Sequence, residues 1–241
     1  MSNLYCTTLF LFRKAHFIPF QYTLHFLNIL LSHQTLIDNH LTMCYNHFMV
    51  KKGVNAVQWT IPGSTLSGDL EEADQLNQVF GAMFLPGGMV LSQVAKISGL
   101  EPYTIQNWVK RGFLSPPQEK RYSQRQLCRI LNINMLNGAL TMDQICGLLS
   151  YINGALDDES DDLIDDAELY FMFVKLAVRS RDQHSMKECE STILSVLQNY
   201  REPVPGAKER IFKVLKVMIS AWYATRMRQK TEQMLSELTI V

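Results

Sequence analysis

The chain has 241 residues, enough for one large or two small domains, and 47% of them are hydrophobic, as in a globular protein. Its 23 Lys and Arg balance 23 Asp and Glu, which argues against a protein that coats nucleic acid by bulk charge but leaves room for one basic face. Five cysteines, in no CxxC or CxxH pattern, argue against a disulfide framework and a zinc site and for a reduced, cytoplasmic protein.

Residues 1–48 differ in composition from the rest of the chain. They contain no Gly, Val or Glu, five of the six His, and only Arg13, Lys14 and Asp38 as formal charges. The uncharged run over 15–37 is long enough to span a bilayer. Pro19, Gln21, His25, Asn28, His33 and Gln34 load it with polar groups that a span does not carry, so no membrane anchor is expected. His16, His25, His33, His40 and His47 lack the close helical spacing of metal ligands. The composition break at Met49 marks residues 1–48 as a spurious or disordered N-terminal extension.

Residues 49–88 read as a linker and an N-terminal helix. Residues 49–66 are expected to be irregular, with Lys51-Lys52-Gly53 and Ile61-Pro62-Gly63-Ser64 as loop signals. The spacing of Leu70, Ala73, Leu76, Val79, Phe80, Met83 and Phe84 predicts a helix over 69–84, with Asp69, Glu71 and Glu72 at its start. Pro86-Gly87-Gly88 ends it and supplies a hinge.

Residues 89–153 carry the densest signals. Leu91, Val94, Ala95 and Ile97 make a narrow apolar stripe, with Ser92 as cap or first-turn residue. Gly99 can take the left-handed conformation that ends a helix, and Pro102 suits the first position of the next. There Ile105, Trp108 and Val109 face one side, and Tyr103, Gln106, Asn107 and Lys110 the other. Gln and Asn can form paired hydrogen bonds with adenine in the major groove, and Lys can reach phosphate or guanine. Gly112-Phe113-Leu114 ends this helix, and Ser115-Pro116-Pro117 stops any continuation. A short polar loop comes next, over 118–122. Ser123 caps a helix with Leu127, Ile130, Leu131, Ile133 and Met135 inside. Gly138-Ala139 breaks it, and Thr141 with Gln144 forms a capping box for the next. Cys128 and Cys146 fall in or near apolar stripes and read as core thiols. Between residues 89 and 130 seven Lys or Arg face two Glu. This order of helices, turn and basic loop is that of a winged helix-turn-helix that reads duplex DNA. Tyr103, Gln106 and Asn107 are the expected base contacts. Lys110, Arg111, Lys120, Arg121 and Arg125 are the expected phosphate contacts.

The same residues carry a family resemblance. Pro102, Thr104, Ile105, Trp108, Arg111, Gly112, Leu114, Pro116, Arg121, Tyr122 and Ser123, then Leu140, Thr141, Ile145 and Leu148, stand in the order and spacing of the MerR-like winged helices. The likeness covers roughly a quarter of the chain. It implies DNA binding, and a segment after the winged helix that dimerises or senses a ligand. Gln106-Asn107-Trp108 replaces the family's Arg-Tyr-Tyr or Arg-Phe-Tyr, which weakens the implied promoter-twisting mechanism more than DNA binding. The Asn107-Trp108 pair and the helical tail also resemble a bacterial domain-of-unknown-function family with a MerR-like N-terminal part.

Residues 154–241 read as an α-helical C-terminal domain. Eight carboxylates lie between Asp157 and Glu168 without a base among them. The calcium-loop pattern lacks its central Gly, so an acidic linker and helix start is expected, pointing away from DNA. Helices are expected over 163–180, 186–200 and 207–237. The basic side of the last helix, from Lys208 to Lys230, is expected to pair with the acidic segment. Tyr170, Phe171, Phe173, Trp222 and Tyr223 are expected to fill a bundle or dimer core rather than line a ligand pocket.

The expected architecture is therefore mainly α: a winged helix-turn-helix followed by an α-helical bundle. The expected function is a sequence-specific transcriptional regulator that binds double-stranded DNA through residues 102–110 and 115–122, as a homodimer. No cofactor and no metal are expected; an effector is not identified. A protein-docking module built on the same winged helix is the alternative. There is no phosphate-binding Gly loop, Gly-x-Ser-x-Gly or HExxH, and the one His beyond the N-terminal segment, His184, lies in a polar stretch, so no enzyme is expected.

Overall fold

The computed structural model describes residues 58–69, 75–156, 158–181 and 186–238, and all structural statements refer to these. The expectations for residues 1–48, for Leu70, Glu71, Glu72 and Ala73, and for His184 lie outside them. The described residues begin with a small antiparallel hairpin, β1 (Gln58–Thr60) and β2 (Ser67–Asp69), with Trp59 opposite Gly68. This corrects two expectations. Part of the segment expected to be irregular is strand, and Asp69 ends a strand rather than starting a helix. The helix, α1 (Leu76–Phe84), begins seven residues later.

The hairpin loop is held from three sides. The Thr65 N–H and hydroxyl donate to the carbonyls of Ile97 (2.8 Å) and Lys96 (2.7 Å). Those carbonyls lie in the last turn of a helix, where carbonyls look beyond the helix for donors. Asn134 Nδ2 donates to the Gly63 carbonyl at 2.9 Å, and the Tyr170 hydroxyl to the Pro62 carbonyl at 2.9 Å. Gly63 has φ +73°, and a Cβ there would lie 2.2 Å from the Leu131 carbonyl oxygen, so only glycine fits this crossing.

A two-residue strand β3 (Met89–Val90) leads into α2 (Leu91–Ser98), which is followed by α3 (Pro102–Lys110). Gln93 Oε1 accepts from the Val90 N–H at 3.1 Å, so Ser92 is a first-turn residue. Gly99, at φ +70°, ends α2 in the left-handed conformation. β4 (Arg121–Tyr122) pairs antiparallel with β3, Met89 opposite Tyr122.

The two predicted caps, Ser123 and Thr141, are present, each as a capping box. At α4 (Gln124–Leu136), Ser123 Oγ accepts from the Gln126 N–H while Gln126 Oε1 accepts from the Ser123 N–H. At α5 (Met142–Asn153), Thr141 and Gln144 do the same. The acidic segment after it includes a short 3-10 turn, Glu159–Asp161, and then Asp165, whose carboxylate accepts from the Ala167 and Glu168 N–H groups to start α6 (Asp166–Arg179). α7 (Met186–Val196) and the long α8 (Ala207–Glu237) are the last described helices.

One contiguous apolar core runs from Ile61 and Leu66 through Ile105, Trp108 and Ile130 to Tyr170, Leu215 and Trp222. α4 is its spine, packing most extensively against α6. On α4 all of Leu127–Ile133, with Met135 and Leu136, are buried, polar Arg129 and Asn132 included. The expected aromatic cluster is two clusters, both structural. Phe80, Tyr170 and Phe171 meet at 5.4–6.0 Å, and Trp222 lies 6.3 Å from Phe173 and 5.2 Å from Tyr223. No described helix is long and apolar enough to cross a membrane.

Candidate nucleic-acid interface

α3 owes its two faces to its sequence. Ile105 and Trp108 are buried one turn apart and fix the helix on α2 and in the common core. With those two inward, the helical period turns Tyr103, Gln106, Asn107 and Lys110 outward, and all four are exposed, Tyr103 at 70%. Arg111 and Gly112 close the helix, and the Arg111 guanidinium lies 4.6 Å from the centre of the Phe113 ring.

The polar loop before β4 is a tight turn. The Arg121 N–H donates to the Gln118 carbonyl at 2.7 Å, and Gln118 and Arg121 form a further antiparallel bridge. Glu119 (φ 48°) and Lys120 (φ 63°) both adopt left-handed backbone, the geometry of a two-residue hairpin turn whose twist suits the strands it joins. Both side chains project from it exposed. Arg121 is half-buried, and its Nη1 donates to the Gly88 carbonyl at 2.9 Å. That bond ties the turn to the entry of β3.

Between α3 and this turn lies an open cleft of about 700 Å³. Gln106 from the helix and Lys120 from the turn both line it, together with Leu91, Pro102, Val109 and Pro117. A second cleft of about 710 Å³ flanks the turn on its other side, with Gly88, Pro116, Arg121, Arg129 and Asp166 among its walls.

Arg125 sits elsewhere than expected. Its guanidinium is hydrogen-bonded to Asp162 and lies 3.7 Å and 3.8 Å from the carboxylates of Asp165 and Asp166. Next to it, buried Arg129 pairs with Asp166 at 3.2 Å while its Nε donates to the Phe113 carbonyl at 3.1 Å. Burial pushes the Asp166 carboxyl up from its usual pKa; the two arginines oppose that shift and Asp165 adds to it. Desolvation likewise raises Asp162, against Arg125. The acidic segment is thus answered by α4, which corrects its expected pairing with α8. The bases of α8 find other partners: Lys213 pairs with Glu209 at 2.6 Å, Lys216 with Glu190, and Arg226 lies 4.7 Å over the Trp222 ring. Sequence reading missed the buried ion cluster. Its trace was there, in two arginines four residues apart on a helix with no acidic residue and an acidic run with no base of its own.

Residues 75–173 match the model of a family described as Domain of unknown function (DUF1836). The match starts just before α1 and ends inside α6, so it takes in α3, the β3–β4 pair and the buried ion cluster. The expected likeness to a family of unknown function is met over that segment. The chain is also similar to the uncharacterized protein YkrK of Bacillus subtilis (strain 168), 30% identical over 104 residues, 41% of this chain and 45% of that protein. It therefore spans less than half the length of this curated relative. No solved structure matches it.

Proposed function

We propose that the protein is a sequence-specific DNA-binding transcriptional regulator of the MerR-like winged-helix type. The observation that carries this reading is the cleft lined by both Gln106 of α3 and Lys120 of the turn, with Tyr103, Asn107 and Lys110 exposed on the same helix. A helix offering amides and a turn offering a cation on one side suit a major groove and its flanking phosphates. In this reading Gln106, Asn107 and Tyr103 contact bases, and Lys110, Arg111 and Lys120 contact phosphates. Arg121 keeps donors to spare after its bond to Gly88, since a guanidinium has five. Arg125 is left out, because its guanidinium is engaged by three carboxylates. The missing Arg on α3 argues for recognition without promoter twisting.

The test is retardation of genomic fragments at low salt, followed by selection of the bound sequences. Asn107→Ala is expected to cost about 1–3 kcal/mol at the preferred site and to relax preference at one or two base pairs. Lys120→Ala is expected to weaken all sequences alike and lower the salt slope by about one. A parent protein that retards no fragment at low salt would sink the proposal.

A docking module is the second reading. Leu91, Pro102, Val109 and Pro117 give the cleft largely apolar walls, which suit a partner protein's side chain better than a phosphate. An absent DNA shift together with a captured protein partner lost on Val109→Asp would favour it.

A further inference from the structure

The cleft between α3 and the turn before β4 is apolar where it follows the helix. Pro102, Gln106 and Val109 all line it, and steps of four and three residues set them in one row along α3. Tyr103, Asn107 and Lys110 form the next row around the helix, and all three are exposed. Gln106 is thus flanked by hydrocarbon on both sides, by Pro102 roughly 6 Å before it and Val109 roughly 4.5 Å after it along the axis. Exposed Pro102 and half-buried Val109 keep surface open to a ligand. Leu91 and Pro117 extend the apolar wall across the cleft. Lys120 is the one cation among its described walls, and no carboxylate is among them, whereas Asp166 and three arginines stand in the cleft on the other side of the turn.

Hydrocarbon gains nothing from a phosphate. The apolar group that a base edge offers in the major groove is the C5-methyl of thymine, and the A·T pair carries it together with the N6 and N7 edge that a Gln amide reads. We infer that this cleft recognises thymine by its methyl group: Gln106 takes an adenine, and Pro102 and Val109 cover the methyls of thymines one or two base pairs to either side. The offsets along α3 match one to two base steps of about 3.4 Å. Cytosine at the same places brings no methyl and turns its N4 donor toward hydrocarbon. This inference rests on the DNA-binding proposal and adds to it the chemistry of the target, a run of A·T pairs. It also gives the apolar walls a use that needs no partner protein.

The test uses the full chain and the duplex selected from retarded genomic fragments, with each thymine replaced in turn by deoxyuridine. That exchange removes the methyl and leaves every hydrogen-bonding group in place. One or two thymines, within two steps of the adenine whose preference is lost in Gln106→Ala, should each bind about fourfold more weakly as deoxyuridine, the scale of burying one methyl. In Val109→Ala or Pro102→Ala the thymine-to-uracil ratio should fall toward one at the position that the residue covers. The ratio compares two duplexes against one protein preparation, so any loss of folded protein cancels from it. A parent that selects a site yet binds its deoxyuridine forms equally well overturns the methyl reading and leaves DNA recognition standing. A ratio untouched by either substitution overturns the role of this cleft. A parent that retards no fragment overturns the DNA-binding proposal and this inference with it.

Discussion

Arg129 divides its guanidinium between the Phe113 carbonyl, just past α3, and the Asp166 carboxylate at the start of α6. Both charges are buried, so removing one leaves the other largely desolvated and without its main counter-charge. Asp166→Ala is expected to cost about 3–5 kcal/mol in urea unfolding, the range for breaking a buried pair from one side. Cys128 lies in the same region, and burial, reinforced by Asp165 and Asp166, pushes its thiol well above the usual range. At neutral pH it therefore stays protonated. It should resist iodoacetamide in the native protein and react once denatured, because the thiolate is the reactive form. The outward residues of α3 were legible from the helical period alone. Arg125 was not, because the unbalanced acidic run calls for basic partners without saying which helix, nearly forty positions away, supplies them.

At the scale of elements, α2–α6 and α8 could be read from apolar spacing and capping residues, as the boxes at Ser123 and Thr141 illustrate. The β1–β2 hairpin could not. Three residues per strand leave no alternation to detect, and Pro62-Gly63 reads as loop whether or not strands flank it. The turn before β4 likewise carries Glu119 and Lys120 at positive φ, where Asn or Gly is the usual choice. Side chains other than Gly and Asn sit there at a cost of roughly 1–2 kcal/mol each. Glu119→Asn is expected to raise stability by up to about 1 kcal/mol in thermal or urea melts. In the DNA-binding reading it should also tighten binding slightly, since it removes an anion from the turn.

At the scale of the molecule, one contiguous apolar cluster includes residues on both sides of positions 153 and 154. α4 packs against α1, α2 and α5 as well as against α6, and the family match likewise runs past residue 153 into α6. Sequence periodicity finds helices but not which helix covers which, so the expected boundary rests on the composition change at the acidic segment alone. A fragment of residues 58–153 leaves the α6 side of α4 bare and Arg129 without Asp166. It is expected to bind a hydrophobic dye and to melt without cooperativity, whereas residues 58–238 should unfold in one transition. The buried bond from the Tyr170 hydroxyl to the Pro62 carbonyl spans 108 positions. Translation delivers Pro62 long before Tyr170 leaves the ribosome, so the nascent hairpin emerges with Ile61 and Leu66 uncovered and no seat to occupy. The amino-terminal part must wait for its own distant lid, which makes newly made chains a natural client of chaperones that hold apolar segments until synthesis catches up.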